Sequence, residues 1–283
     1  MGRYATQATV ISDNTSKAAF QCVRTCTITP GGYSGTCVFQ MSGGTGGCDS
    51  VGNYGSGNCC AWTVPAGITS MVIEIWGGGG SGAAVNCTCC GFATGGGGGA
   101  YSRTPTLSVT PGTVYTLCAG SGACGARGGA ASNLCCCGAK GVTTYVTGTG
   151  LTNFCAEGGY GGESRCMVPG QSSQTPNGGF PGNGGILNVR GYDGGKVAAQ
   201  TTEQWCMGFS YGGGSPFGGR NMYIGYDFCA QYQDYMGDGK SGGVCGFTGS
   251  FPGGGGTGAW PSCCCGLCAC GGNGAPGLIR IWM

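Results

Sequence analysis

The segment Met71-Val-Ile-Glu-Ile-Trp76 runs directly into Gly77-Gly-Gly-Gly80, and the two halves of this stretch predict different structures. Successive side chains along a β-strand point to opposite faces, so every second residue of the first half belongs to one face. The segment therefore predicts a strand with Met71, Ile73 and Ile75 together on its apolar side. The glycine tract has no side chains from which to build such a core.

The last residues of the chain repeat the strand pattern as Leu278-Ile-Arg-Ile-Trp282. Arg280 stands at the place that Glu74 occupies in the first strand. Opposite charges on facing residues of neighbouring strands contribute roughly 0.2–1 kcal/mol, which is enough to favour one register. We therefore predict that the two strands pair in one sheet and that Glu74 lies beside Arg280.

Glycine dominates the composition. The chain has 69 glycines and 11 prolines, together 80 of its 283 residues, a share at which a chain without patterning is expected to be disordered. Disorder also goes with high charge and few aromatic residues, whereas here 8% of residues are charged and 10% are aromatic. No window has a helical period. The composition thus predicts an ordered, all-β, glycine-built structure.

Several function classes are disfavoured by charge and residue type. The net charge is +2 without a basic run, which argues against nucleic acid and anionic membranes as partners, and no apolar stretch reaches the ~20 residues of a membrane span. The chain has no histidine, so the usual serine–histidine and cysteine–histidine machinery is excluded. Asp227, Asp234 and Asp238 offer carboxylates for glycoside cleavage, but a solvated acidic loop is the simpler interpretation. We predict no enzyme, no catalytic residue and no cofactor.

Clustered cysteines are the second unusual feature, with 24 in the chain. An even number at this density favours a disulfide framework in an oxidising setting. Cys265 and Cys268 have the spacing of zinc or iron–sulfur ligands, but a metal site usually shows two such pairs, and the chain has no histidine to complete one. We therefore predict no metal and expect disulfides that staple neighbouring glycine segments. The candidate cysteines are Cys87, Cys89, Cys90, Cys135, Cys136, Cys137, Cys263, Cys264, Cys265, Cys268 and Cys270.

Residues 1–60 lack long glycine tracts and form one predicted unit, separate from residues 61–283. Short strands are expected at 8–11, 18–23 and 37–41. We interpret this unit as a small β-module for attachment, with the alternative that its strands extend the main sheet.

Turn residues predict a hairpin over residues 107–117. Thr110-Pro-Gly-Thr113 has proline at the second and glycine at the third position, as a type II turn requires. Leu107 and Val109 precede the turn, and residues 114–117 return from it. Further short strands are expected at 143–146 and 152–156.

Glycines between residues 158 and 274 recur in doublets and longer tracts separated by one to a few other residues. A polyproline-like helix has three residues per turn, and only glycine fits where such helices pack closely. This spacing predicts packed polyglycine II helices with the intervening side chains pointing outward. Repeated glycine turns without a packed bundle are the alternative.

The order of several motifs resembles the glycine-rich domains of bacteriophage tail fibres and adhesins over residues 60–283. The motifs are Val64-Pro-Ala-Gly-Ile-Thr69, Ile73-Glu-Ile-Trp-Gly-Gly-Gly-Gly80, Gly95-Gly-Gly-Gly-Gly-Ala-Tyr-Ser102, Leu107-Ser-Val-Thr-Pro-Gly-Thr-Val-Tyr-Thr-Leu-Cys-Ala-Gly-Ser-Gly122, Ala156-Glu-Gly-Gly-Tyr-Gly-Gly162 and Gly274-Ala-Pro-Gly-Leu-Ile-Arg-Ile-Trp282. The resemblance implies a virion protein at a fibre or tail tip, with short strands in a β-sandwich-like sheet and packed polyglycine helices.

These observations lead us to expect a structural protein of a virus particle, a bacteriophage tail fibre, spike or tail-tip protein that contacts the host. The alternatives are a capsid-decorating or cement protein and a glycan-degrading spike enzyme. The N-terminus lacks the layout of a signal peptide, which together with the cysteines suits a particle assembled in the host cytoplasm and released outside. Expected partners are other virion proteins, a host receptor or glycan, and further copies of the chain in a homo-oligomer.

An aromatic-rich insert at residues 205–235 is the predicted receptor-contact surface. Tyrosine and tryptophan offer large contact areas and dominate recognition sites. The alternative is that these rings cover the glycine bundle as a makeshift core. The receptor-contact candidates are Trp205, Phe209, Tyr211, Tyr223, Tyr226, Tyr232 and Tyr235.

Overall fold

The protein is an all-β structure in the part of the chain that the computed structural model describes. The described residues are 23–25, 38–43, 57–84, 91–126, 137–166, 174–195, 210–218, 222–224, 246–259 and 270–283. They form short strands and extended segments, with no helix among them. Within these ranges, accordingly, no helix is long and apolar enough to cross a membrane.

Two larger sheets and two short strand pairs contain the strands. The seven-stranded sheet has the order β1-β2-β15-β4-β6-β12, with β7 also paired to β4. Its strands are β1 (Val23–Thr25), β2 (Val38–Ser42), β4 (Ser70–Trp76), β6 (Tyr101–Arg103), β7 (Leu107–Ser108), β12 (Leu187–Val189) and β15 (Leu278–Trp282).

The four-stranded sheet has the order β10-β9-β8-β3. Its strands are β3 (Asn58–Thr63), β8 (Val114–Ala119), β9 (Thr144–Thr147) and β10 (Cys155–Ala156). The short pairs join β5 (Gly91–Ala93) to β11 (Ser164–Cys166) and β13 (Ser210–Gly212) to β14 (Met222–Ile224).

The predicted pairing of the two similar strands is confirmed. Strands β4 and β15 are antiparallel neighbours at the centre of the larger sheet, and Arg280 lies directly opposite Glu74. The Arg280 Nη1 and Glu74 Oε2 atoms are 3.9 Å apart. The charge pattern of the sequence therefore identified both the partner strand and its register.

Hydrophobic side chains from the two sheets meet in one core. The larger sheet contributes the predicted apolar face of β4 together with Ile279 and Ile281. The smaller sheet contributes Tyr115, Leu117 and Val146, all of which are buried. Alternating side chains of two facing sheets that interlock in this way make a β-sandwich. The predicted sandwich-like architecture is confirmed.

The predicted hairpin at residues 107–117 is wrong, although its turn is present. Gly112 has a φ of +87°, and the amide of Thr113 donates to the carbonyl of Thr110, as a tight turn requires. The flanking strands, however, do not pair with each other. Strand β7 pairs with β4 of the larger sheet, whereas β8 pairs with β3 and β9 of the smaller one. The turn thus carries the chain from one layer of the sandwich to the other.

The first strands of the chain join the main sheet. Strand β2 pairs with β15 along its whole length, and β1 pairs with β2. Both strands therefore extend the larger sheet, which is the alternative that the sequence left open for residues 1–60. The predicted boundary between residues 60 and 61 lies inside β3. An attachment role for the first 60 residues stays a prediction.

Beside the sandwich lies a set of extended segments that we call the glycine bundle. It consists of residues 77–84, 94–100, 120–126, 137–143, 157–163, 174–180, 190–195, 212–215, 246–259 and 270–277. Their backbones bond to several neighbours in turn. In segment 77–84, every third amide donates to the same neighbouring segment, as Gly77, Gly80 and Ala83 do to the carbonyls of Ala100, Gly97 and Thr94. The amides of Gly78 and Ser81 donate to a second neighbouring segment, at the carbonyls of Val142 and Ala139. The amides of Gly79 and Gly82 donate to a third, at the carbonyls of Ala275 and Gly272.

A repeat of three is the turn length of a polyproline-like helix, which has no hydrogen bonds within itself. Each segment consequently bonds outward in three directions. The segments pack too closely for a side chain at the glycine positions, and the side chains that are buried between segments, such as those of Ser81, Ala83 and Thr257, are small. A β-carbon at Gly79, Gly80 or Gly98 would overlap a carbonyl oxygen of the adjacent segment. The bundle is therefore the predicted array of polyglycine II helices, and its interior is made mainly of backbone with a few small side chains.

A disulfide joins two facing strands of the smaller sheet. Cys59 of β3 and Cys118 of β8 are direct cross-strand partners, and they are bonded to each other. Cys124, in segment 120–126 of the glycine bundle described above, is also disulfide-bonded. A disulfide is thus present as expected, but Cys59–Cys118 joins two strands and links cysteines that stand outside the predicted clusters. The stapling of neighbouring glycine segments by the candidate cysteines stays a prediction.

Glu74 holds together the outer face of the larger sheet. Its carboxylate accepts hydrogen bonds from the Tyr101 hydroxyl at 2.7 Å and the Trp282 indole at 2.6 Å. The guanidinium of Arg280 lies over the rings of both Trp76 and Trp282. Burial, and secondly the bond to Glu74, raise the pKa of Tyr101 well above its usual value. The Tyr101 hydroxyl therefore stays protonated and keeps donating to the carboxylate.

We expect Glu74→Ala to lower the free energy of unfolding by about 2–3 kcal/mol, because it leaves the buried Tyr101 hydroxyl without its acceptor. Urea unfolding followed by tryptophan fluorescence measures the change. Glu74→Gln keeps one amide oxygen as acceptor and should lose less. Equal stability of the alanine variant and the unchanged protein would contradict this role of Glu74.

Candidate binding surface

The structure describes only part of the predicted aromatic insert. Strands β13 and β14 form an antiparallel pair in which Tyr211 and Tyr223 are cross-strand partners. The Tyr211 side chain is half-buried. The candidates Trp205, Phe209, Tyr226, Tyr232 and Tyr235 lie outside the described residues, as do Asp227, Asp234 and Asp238.

Residues 216 and 217, which follow β13, cover part of the outer face of the larger sheet. The carbonyl of Pro216 accepts a 2.7 Å hydrogen bond from the buried Trp76 indole. Phe217 places its ring edge-on to Tyr101, with 4.8 Å between the centroids, and is 71% exposed. This part of the insert therefore has a packing role, and receptor contact by residues 205–235 stays a prediction.

Two of the predicted disulfide cysteines fall within the described residues. Cys137 is an exposed free thiol in the structure. Cys270 is half-buried, and its carbonyl accepts a hydrogen bond from Gly246. The other candidates lie outside the described residues. In the part of the chain that is described, no group of cysteine and carboxylate side chains has the arrangement of a metal site.

A second surface emerges from the glycine bundle. Four segments, 137–143, 157–163, 174–180 and 190–195, lie side by side, each bonded to the next through its backbone. The linking bonds run from Gly141 to Gly159 at 2.8 Å, from Tyr160 to Asn177 at 3.0 Å and from Gly191 to Gly179 at 3.0 Å. These three bonds fix the positions of the segments along their axes relative to one another, so their side chains form a regular array.

The period of three decides which side chains share a face. Residues three apart point in the same direction, whereas the glycines between them face neighbouring segments. The side chains on the outward face form what we call the aromatic strip. Its members are Lys140, Glu157, Tyr160, Asn177, Phe180, Arg190 and Asp193. Tyr192 lies on a different face of the segment that carries Arg190 and Asp193.

Each aromatic ring of the strip has a cation above it. Lys140 Nζ lies 4.1 Å from the centroid of the Tyr160 ring, and Arg190 Cζ lies 4.8 Å from that of Phe180. Such contacts stabilise by roughly 0.5–1 kcal/mol at exposed sites and hold the rings in place. Tyr160 is still 36% exposed and Phe180 is 45% exposed. The rings are thus fixed in orientation and open to solvent.

Ion pairs neutralise the charges of the strip. Lys140 is paired with Glu157, and Arg190 with Asp193. Arg190 also donates to the Asn177 side chain at 2.8 Å. Burial by itself lowers the pKa of Lys140, but its hydrogen bonds to Glu157 and Tyr160 outweigh burial and raise the pKa. The ammonium group therefore stays charged over Tyr160, and the two ion pairs of the strip sum to zero charge. Glu163, three residues beyond Tyr160, adds a carboxylate at the edge of the strip, where it accepts from the amide of Gln174.

The carboxylates also bind the backbone of neighbouring segments. Glu157 Oε2 accepts from the amide of Phe180 at 3.1 Å, and Asp193 Oδ1 accepts from the amide of Gly178 at 2.8 Å. The polar groups are consequently held in place before any ligand arrives. Fixed rings beside planar polar groups suit the binding of a ligand that is apolar on one side and rich in hydroxyl groups.

Sequence reasoning did not select the aromatic strip. It predicted that the residues between glycines point outward, and the spacing of Glu157 to Tyr160, Asn177 to Phe180 and Arg190 to Asp193 was visible as a period of three. The sequence did not indicate which of the four segments pack side by side. Glycine tracts look alike, so nothing in them identifies which segment packs beside which.

Comparison with known families gives one match. The profile of a family described as a glycine-rich domain matches residues 53–282. The match covers both sheets from β3 onward and all segments of the glycine bundle. No curated protein matches the chain. The resemblance to tail fibres in particular stays a prediction.

Proposed function

Since the chain belongs to the glycine-rich domain family, we propose that it is a structural protein of a bacteriophage particle that contacts the host surface from a tail fibre, spike or tail tip. The proposal combines this family membership with the motif order that resembles phage adhesins. Its partners are then the neighbouring virion proteins, a surface molecule of the host and further copies of the chain.

One observation carries this proposal. The aromatic strip is a fixed, exposed set of aromatic and polar side chains on a bundle whose interior consists mainly of hydrogen-bonded backbone. A contact protein needs recognition groups that are already ordered, because ordering side chains on binding costs roughly 0.5–1.5 kcal/mol for each one. The bundle supplies this order without a large hydrophobic core.

Gold-labelled antibody against the chain, imaged on intact particles, tests the proposal. We expect label on fibres or at the end of the tail, and none with antibody that was absorbed beforehand with purified protein. Label spread over the head would reject the contact role. Particles without label at all would reject a place in the virion.

Capsid decoration is a second candidate, which the cross-strand disulfide favours. A covalent link in the smaller sheet and a backbone-filled bundle both suit a protein that protects a particle outside the cell. Quantitative mass spectrometry separates the two roles by copy number. A decorating protein should be present in hundreds of copies for each particle, by analogy with repeated capsid surfaces, and a tip protein in only a few.

A further inference from the structure

We infer that the aromatic strip binds a neutral, extended oligosaccharide, with Tyr160 and Phe180 as the stacking platforms and Asn177, Glu157, Asp193 and Arg190 as hydrogen-bonding groups. The inference rests on the proposed function for the source of the glycan, the host cell surface. The chemistry of the strip itself defines the class of ligand.

The stacking part of the argument concerns the two rings. A sugar ring presents C–H groups on one face, and these pack against the face of an aromatic ring. Tyr160 is 36% and Phe180 is 45% exposed, and a cation on one face holds each ring in a fixed orientation. The inference places the sugar against the opposite face of each ring. Large apolar groups that remain open to water on a rigid support are typical of binding surfaces.

Hydrogen bonding gives the second part of the argument. The hydroxyl groups of a sugar both donate and accept, so they suit carboxylates, amides and guanidinium groups in fixed positions. Asn177 is linked to both ring sites, because its carbonyl accepts from the amide of Tyr160 and its side chain accepts from Arg190, the cation over Phe180. Polar groups of both kinds therefore border each ring.

Charge decides which glycans fit. Lys140 and Arg190 are already paired with Glu157 and Asp193, so an acidic sugar would have to displace a carboxylate and would be repelled by it. The strip has no unpaired cation to offer an anionic ligand. A neutral glycan avoids this cost, and its binding should not depend on salt.

The geometry of the bundle favours an extended ligand over a single sugar. Tyr160 is level with Asn177, and Phe180 lies three residues further along the same segment. One turn of a polyproline-like helix advances about 9 Å. The two rings are therefore far enough apart to stack on different sugar units of one chain.

Surface plasmon resonance on the full chain tests the inference, with dextran, laminarin and galactomannan as immobilised neutral probes and hyaluronan and heparin as acidic ones. We expect salt-insensitive binding to at least one neutral probe. Tyr160→Ala and Phe180→Ala should each weaken that binding about tenfold, since each removes one stacking platform. Tyr160→Phe should bind like the unchanged protein.

Tyr192→Ala is the matched control, because Tyr192 is 58% exposed but lies on another face. It should leave binding unchanged, and all variants should unfold at the same urea concentration. Three results would overturn the inference: no binding to any neutral probe, binding to acidic probes alone that salt abolishes, or an equal loss with Tyr192→Ala. Labelled fibres without glycan binding would reject the glycan and keep the proposed function. Glycan binding by a chain that is absent from particles would keep the glycan inference and reject the proposed function.

Discussion

Gly98→Ala should lower the free energy of unfolding by about 3–5 kcal/mol, which is enough to leave a protein of ordinary stability largely unfolded. Gly98 lies inside the glycine bundle, where a β-carbon would overlap the carbonyl oxygen of Gly214. Its amide donates to Tyr192, and its carbonyl accepts from Gly179. The backbone therefore cannot move away from the added methyl group without breaking these bonds.

Gly67→Ala is the control for this experiment. Gly67 has a φ of +83°, but no atom lies within 4 Å of the place where its β-carbon would stand. Alanine there should cost only about 1–2 kcal/mol, the penalty of the left-handed conformation. Urea unfolding and the yield of soluble protein measure both variants. Similar unfolding midpoints for Gly98→Ala and Gly67→Ala would mean that the bundle can accommodate an added side chain, contrary to the close packing described above.

The double variant Cys59→Ser/Cys118→Ser should lose about 2–4 kcal/mol of stability under oxidising conditions. The two cysteines are 59 residues apart in sequence, so their bond removes much of the freedom of the unfolded chain. The bond also spans β3 and β8, which between them contribute Trp62, Tyr115 and Leu117 to the core. Its loss should therefore weaken the smaller sheet first.

Cys137→Ser is the matched control, because Cys137 is an exposed free thiol. Its melting temperature should equal that of the unchanged protein. Hydrogen exchange of the β8 amides locates the effect of the double variant. A double variant with an unchanged melting temperature would show that the remaining contacts already fix the smaller sheet.

The central strands illustrate what a sequence can establish. β4 and β15 are long enough for alternation to be visible, and their single charges are complementary, so partner and register both followed from the pattern. The hairpin prediction failed for a physical reason. The residues of the turn determine its local backbone, as Gly112 shows, but they do not determine which strand lies beside β7 or β8.

The disulfide and the aromatic strip were beyond sequence reasoning for a related reason. Cys59 meets Cys118 because β3 pairs with β8 in one register, and neither belongs to the clusters that attracted attention in the sequence. The strip exists because four glycine segments lie side by side. Both features depend on contacts between residues distant in the chain, whereas composition and period report only on neighbours in sequence.

The period of three in the glycine bundle also has an evolutionary consequence. In an outer segment, the inward positions hold glycine or another small residue, while the side chain at an outward position, such as Tyr160 or Phe180, remains exposed. We therefore expect substitutions to be tolerated unequally along such a segment, with almost none accepted at the closely packed glycines and many at the outward sites. The exposed side chains can then be exchanged without altering the scaffold beneath them.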